Sequence, residues 1–378
     1  MLAPWSRLIS LGASTALGNY LEGATLSSGR RVAVIGAGLA GLWTAYHLAR
    51  RGYEVTVYEK EYPGYGASSR AAGILSLQLP VPLLKYAMEA INYYSWVGVR
   101  ETPTIWVPRR ELCRCAEAVA AELRRLGAVA EVMKLDEVDG LLKGEGEKAI
   151  FMMQGLVNAG DAVNALTKVL AERGVTFRGG QVTSRGGRLY FDGSPIEAEA
   201  YFVAAGPWTP SLVKVDLRLY RCSAHSVEGE RVPNMIVEDD VNEFYVVPES
   251  GKRAIVGGPD STLSRPEDGF RYEPSEPYEV LERVSRRMPV AELMRPVSSW
   301  SAPCASGPDG LPVVGEVDDR VYVIAGLDGA GLTLSPALSR LLVEIAEGTA
   351  DEDPLLSPAR KALDGPLEPF DSICVGLS

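Results

Sequence analysis

Three glycines and one carboxylate carry the most specific chemical signal in the chain. Gly36, Gly38 and Gly41 stand in the run GAGLAG, spaced as G-x-G-x-x-G, and Glu59 follows 18 residues after Gly41. In a dinucleotide site the first glycine permits a tight turn. The second lets a pyrophosphate approach bare backbone, and the third lets a helix pack close to a sheet. The unpaired N–H groups that open the helix supply the anion site. A carboxylate at the end of the following strand accepts hydrogen bonds from both ribose hydroxyls and repels a 2′-phosphate, which is the role read for Glu59. The spacing alone leaves NAD and FAD open.

Other reactive residue types are sparse. Two histidines, His47 and His225, cannot build a multi-histidine metal site. His47 falls inside a predicted helix and reads as structural; His225 reads first as structural, with a place in a pocket as the alternative. Cys113 and Cys115 sit one residue apart at a predicted helix start, with no nearby histidine or further cysteine pair, so no metal site is expected. Five cysteines, an odd number in a long chain, read as reduced thiols in a reducing compartment.

The elements that must hold these residues follow from periodicity. VAVI, 32–35, reads as a buried strand, and an apolar helical pattern over 39–51 stops at Gly52. EVTVY, 54–58, is the next strand, with Glu59 at its end. Residues 61–80 read as a Gly-, Ser- and Pro-rich loop. Helices are predicted over 84–94, 111–126, 161–173, 277–287 and 332–347. Strands are predicted over 104–107, 149–156, 175–177, 181–183, 188–191, 201–205 and 321–325, with an antiparallel set at 217–226, 233–237, 243–247 and 253–256. Repeats and low-complexity segments are absent.

Composition bounds the function classes. With 378 residues, 46% hydrophobic and 23% charged, the chain is neither disordered nor a small disulfide scaffold, and two linked domains are expected. A net charge of −11 argues against a dedicated nucleic-acid binder. No run of 18 apolar residues occurs, so no spanning helix is expected. The first 30 residues have one arginine before Arg30 and an apolar stretch broken by Gly12, Ser14, Thr15, Gly18 and Asn19, so an extension is expected rather than a secretory signal. Six Asn, three Gln and 29 Arg against nine Lys fit a thermophile or, equally, a GC-rich genome.

From Arg31 onward the chain resembles the flavoprotein family of D-amino acid oxidase, glycine oxidase and sarcosine oxidase. Four blocks carry the resemblance: VAVIGAGLAGLWTAYHLARRGYEVTVYEK, 32–60; GASSRAAGIL, 66–75; FVAAGPWTP, 202–210; and WSAPCASGPDGLPVVG, 300–315, continued by VYVIAGLDGAGLTLSPALSRLL, 321–342. The resemblance implies an α/β fold with a Rossmann-like FAD-binding domain (31–80, 150–215 and 300–360). An interleaved α+β substrate domain (81–149 and 216–299) is built on an antiparallel or mixed sheet. An N-terminal extension (1–30) and a C-terminal tail (361–378) flank them. It implies non-covalent FAD held by Gly36, Gly38, Leu39, Ala40, Gly41, Glu59 and Lys60. The flavin loop would be Ser68, Ser69, Arg70, Ala72, Gly73 and Ile74. Val182 would hold adenine by its backbone, with Ala205, Gly206 and Trp208 beside the diphosphate and ring. The N–H groups at Gly329, Ala330, Gly331, Leu332 and Thr333 would face the flavin pyrimidine, where a helix N-terminus favours negative charge.

The chemistry implied is oxidation of the C–N bond of an amine or amino acid (glycine, sarcosine, proline or D-amino acid type), with hydride passing to flavin N5 and the imine hydrolysing in water. No residue is assigned a catalytic role. The arginine that clamps a substrate carboxylate in glycine-oxidase-like members is matched here by Cys304, and the Arg or Lys that relatives place in the later turn is matched by Gly329 and Thr333. Candidates for the substrate site are Arg70, Tyr245 and Cys304, with Arg221, Arg253 and Arg271 as further arginines. The spacing from Cys304 to Asp309 does not suit the members that tether flavin to cysteine. The electron acceptor is left among oxygen, a quinone and a partner subunit. A dehydrogenase is favoured, since no lysine falls where oxygen-activating sarcosine oxidases use one. The alternatives are a dehydrogenase of a hydroxy acid or glycerol phosphate, and a flavin-binding subunit of a multi-subunit dehydrogenase. A cytoplasmic location is expected, with peripheral membrane association and oligomer formation left open.

Overall fold

The computed structural model describes residues 29–138, 142–144, 146–249 and 251–361; most of the predicted N-terminal extension and of the C-terminal tail lie outside them. The strand Arg31–Ile35 is central in a six-stranded sheet, paired in parallel with Glu54–Glu59 on one side and Ala200–Val203 on the other. Thr176–Gly179 and Val321–Ala325 extend it in parallel, and Val313–Asp318 closes one edge antiparallel. The period of two divides its side chains between two faces. Val32 and Val34 join Val55, Val57 and Phe202 under the helices Leu39–Arg50, Ala159–Glu172 and Gly331–Ala346. Ala33 and Ile35 join Tyr58 and Val203 against a small three-stranded sheet spanning 182–195. This is a Rossmann-like layer with helices on one face.

A second, larger mixed sheet is built from Arg218–Glu228, Arg253–Gly257, Phe244–Pro248, Ile236–Asp239, Arg100–Val107 and Lys148–Leu156, with short strands at both edges. One of its faces packs Val227, Val237, Val246 and Val256 against the helix Glu276–Arg287. The other face carries Ala224, Ile236, Val247, Tyr245 and Trp300, and packs against Ala72 and Ile74 of the loop after Glu59. The two sheets therefore meet along a seam, with the loop between them.

Several expectations shift. The twelve-residue strand Arg295–Ser306 has no counterpart among the predicted elements, yet it pairs along the whole of Arg218–Glu228 with a bulge at Ser226/Val227. Both Lys148–Leu156 and Arg295–Ser306 belong to the larger sheet, which therefore takes in residues past 150 and past 300. The helix expected over 84–94 is two short helices, Leu84–Ala87 and Ala90–Tyr94, after a 3-10 turn that starts beside Pro80 and Pro82. Cys115 is disulfide-bonded while Cys113, Cys222 and Cys304 are free, which corrects the reading of five reduced thiols. An odd count requires one free thiol and never excluded a bridge. Among the described residues no helix is long and apolar enough to cross a membrane.

Candidate functional site

The glycine turn is forced by contact. Gly36 has φ +105°, and a Cβ there would lie 2.5 Å from the Ala204 carbonyl oxygen. A Cβ on Gly41 would lie 1.9 Å from the Gly36 carbonyl oxygen, so the helix can sit this close to the strand only without a side chain. Glu59 closes the turn from the next strand: its Oε2 accepts the Ala37 N–H at 2.7 Å and its Oε1 the Glu61 N–H at 3.0 Å. Each oxygen keeps a lone pair for a further donor. Ser68 reaches in from the loop, its Oγ accepting the Leu39 N–H at 3.0 Å at the helix start.

The loop is pinned to the second sheet. The Trp300 indole N–H donates to the Arg70 carbonyl at 2.9 Å. The Arg70 guanidinium donates to the carbonyls of Tyr65 and Gly66 and lies over the rings of Tyr65 and Phe270, 5.5 and 5.1 Å from their centroids. The Trp208 indole N–H donates to Glu267 at 2.7 Å. The late turn takes left-handed backbone at Gly326, Asp328 and Gly329 and delivers the N-terminus of Gly331–Ala346. That helix is fastened to the first: the Ser339 hydroxyl donates to the Ala40 carbonyl at 3.0 Å, and His47 Nε2 donates to the Pro336 carbonyl at 2.9 Å. Burial holds the His47 pKa down at about 3, so its ring is a neutral structural donor.

One cavity of about 900 Å³ runs along the seam. That volume is within the range of small-molecule and cofactor sites. It is lined at one end by Gly36, Gly38, Leu39, Ala40, Glu59, Lys60 and Val182. The middle is lined by Ser68, Arg70, Ala72, Gly73, Ile74, Ala205, Gly206 and Trp208, and by Gly329, Ala330, Gly331 and Leu332. Three residues expected at the cofactor do not line it. Gly41 packs against Gly36, Ser69 packs against Gly64, and Thr333 is buried within the helix start. The cradle fits an adenine dinucleotide: a side-chain-free approach at Gly38, two helix N-termini and a carboxylate with spare acceptors converge on the same space.

The substrate candidates Arg70, Tyr245 and Cys304 all line this cavity. Cross-strand register brings the sheet residues together: Tyr220 stands opposite Cys304, Cys222 opposite Ala302, Ala224 opposite Trp300 and Glu238 opposite Tyr245. The Tyr245 ring lies over Gly257, where a Cβ would come within 2.2 Å of it. Burial pushes the Tyr245 phenol far up, so it stays protonated as a hydrogen-bonding group. The other arginines go elsewhere. Arg221 pairs with Glu276, Arg253 is exposed beside Glu228, and Arg271 is exposed. His225 is buried with Nδ1 2.9 Å from the Ser299 hydroxyl and does not line the cavity.

Sequence reasoning missed Tyr220, Cys222, Glu238, Asp260 and Asp328, which also line the cavity. The Tyr220 hydroxyl donates to Asp328 at 2.5 Å, and Gln154 Nε2 donates to Glu238 at 3.1 Å. Burial pushes the Glu238 and Asp260 carboxyls up to about 7 and Asp328 up to about 6. The alternation of Tyr220, Cys222 and Ala224 in one predicted strand was a usable signal; the acids, on a short strand and in loops, offered none. Among the described residues no group of three or more His, Cys, Asp or Glu could hold a metal ion.

The family described as "DAO: FAD dependent oxidoreductase" matches residues 31–345. A glycine oxidase of Geobacillus kaustophilus is 27% identical over 372 residues, covering 84% of this chain and 92% of that protein. A D-amino acid dehydrogenase of Methylobacterium nodulans is 26% identical over 413 residues, covering 85% and 96%. The crystal structure of glycine oxidase from Geobacillus kaustophilus superposes with a TM-score of 0.75 at 25% identity, covering 88% of this chain and 99% of that one.

Proposed function

The chain belongs to the DAO family of FAD-dependent oxidoreductases, and on that premise we propose that it oxidises the C–N bond of an amine or amino acid held against the face of the larger sheet. The observation that carries this reading is the single cavity joining the dinucleotide cradle at Glu59 to Tyr245 and Cys304. FAD, when bound, supplies the two-electron acceptor. The residues proposed to hold it are Gly36, Gly38, Leu39, Ala40, Glu59, Ser68, Val182, Ala205, Gly206 and the helix start at Ala330–Leu332.

The chain itself positions the substrate. Tyr245 offers a protonated hydroxyl on a ring held by the Gly257 backbone, and Trp300 fixes the loop at the Arg70 carbonyl. The substrate loses hydride from the carbon bearing nitrogen, and water then converts its imine to a carbonyl and a free amine. Lys60, the lysine among the described lining residues, sits beside Glu59 at the ribose end. This supports an acceptor other than oxygen, such as a quinone or a partner subunit. A cytoplasmic setting in a thermophile is part of the proposal: a disulfide at Cys115 and few amide side chains are compatible with it, since hyperthermophiles keep intracellular disulfides.

The test is anaerobic flavin bleaching with a panel of donors: glycine, sarcosine, both proline enantiomers, D-amino acids, simple amines, 2-hydroxy acids and glycerol phosphate. Bleaching by a nitrogen donor is expected. Bleaching by a hydroxy acid or glycerol phosphate alone would overturn the C–N assignment.

A further inference from the structure

Carboxylates line the end of the cavity that faces the larger sheet. Asp260 hydrogen-bonds the Cys222 thiol and lies within electrostatic reach of Asp328 and Tyr245. Cys222 in turn contacts the Cys304 thiol. Asp328 accepts the Tyr220 hydroxyl, and Glu238 stands beside Tyr245 on the neighbouring strand. Among the described lining residues the cations are Lys60 and Arg70. Lys60 is at the ribose end, and the Arg70 guanidinium is occupied by two carbonyls and two rings. Arg221 pairs with Glu276 and the Arg271 carbonyl, and from outside the lining it acts on Asp260 as Arg218 acts on Asp328.

The charge at this end is therefore inverted relative to what an amino acid needs. A carboxylate arm could enter only with Asp260 and Asp328 kept protonated, because like charges repel strongly across a low-dielectric space. An ammonium arm would find acceptors that burial has left poorly stabilised as anions, and its arrival would favour their ionisation. Resting on the amine-oxidising reading above, we propose that the cavity takes substrates bearing a second, non-reacting ammonium group, held by Asp260 and Asp328, in place of an amino acid's carboxylate.

Three probes of one chain length separate the charges: 1,4-diaminobutane, butylamine and 4-aminobutyrate. Their anaerobic binding to the FAD-loaded protein is measured by calorimetry, with the flavin spectrum followed in parallel. The diamine is expected to bind roughly tenfold tighter than butylamine, with 4-aminobutyrate weakest. Asp260→Asn and Asp328→Asn, both isosteric, should each remove most of the diamine's advantage over butylamine. An unchanged flavin spectrum and melting curve show that these variants fold. Equal binding of diamine and butylamine, or a preference for 4-aminobutyrate, would overturn the proposal. Tight diamine binding without bleaching would support the charge selection and count against amine oxidation. Bleaching by amino acids with no diamine preference would do the opposite.

Discussion

Gly257→Ala should displace the tyrosine at the centre of the proposed substrate site. A Cβ on Gly257 would lie 2.2 Å from two Tyr245 ring carbons and 2.4 Å from its hydroxyl oxygen. Gly257 is not among the glycines with left-handed backbone, so the added methyl brings no backbone strain. Overpacking of this kind costs about 1–3 kcal/mol. Replacing glycine within a strand returns about 0.5–1 kcal/mol, which leaves a net loss of about 0–2.5 kcal/mol. The larger effect is on the site, because the ring must leave the sheet face to make room. Urea unfolding of the FAD-loaded protein gives the stability change, and the substrate concentration for half-maximal flavin reduction gives the functional one. The decisive assay is a double-mutant cycle with Tyr245→Ala. If the clash is with the ring, removing the ring relieves it, and the two changes couple by about 1–3 kcal/mol. Additivity within about 0.5 kcal/mol would refute the packing argument.

Buried ionisable groups make the fold's stability depend on pH. Burial raises Glu238 from 4.5 to about 7, so its folded-state contribution is present below pH 4.5 and lost as pH rises through 7. Glu238→Gln should flatten that part of the stability curve, with a relative gain of up to about 3 kcal/mol at pH 8 over pH 5 in chemical denaturation. His47 has the opposite sign: its pKa falls from 6.5 to about 3, so stability is present above pH 6.5 and lost as pH drops toward 3. His47→Gln should remove that acid dependence while keeping a donor for the Pro336 carbonyl, checked by melting between pH 4 and 7. Asp309 is fully buried and pairs with Arg360 at 2.7 Å. Asp309→Asn leaves the arginine charge unmatched and is expected to cost about 3–5 kcal/mol in unfolding free energy.

What could be read from the chain follows the range of the forces involved. The strand, glycine turn, helix and Glu59 lie within a few dozen residues, and each constrains its neighbours through sterics, so the cradle is visible as a pattern. The strand Arg295–Ser306 is not, because Pro296, Pro303 and four serines dilute its β-propensity; its pairing with Arg218–Glu228 supplies the order. Cys304 could be placed by matching blocks, but its neighbours could not. Asp328 looks like a solvated turn residue in GLDGAG, and Asp260 follows a Gly-Gly-Pro run. Only the closing of that turn over the sheet brings both beside Tyr220 and Cys222. Arg221 and Arg253 look like possible clamps because sequence gives no direction for a side chain; their strand positions and the acids at Glu276 and Glu228 take them out of the cavity.

Oxidation of a substrate's C–N bond in the seam beside bound FAD is checked by a single-turnover experiment under anaerobic conditions, with the amount of bleached flavin compared with the free amine and carbonyl released. One of each per flavin bleached is the predicted result. Full bleaching by a donor without nitrogen, with no amine donor able to reduce the flavin, would contradict it.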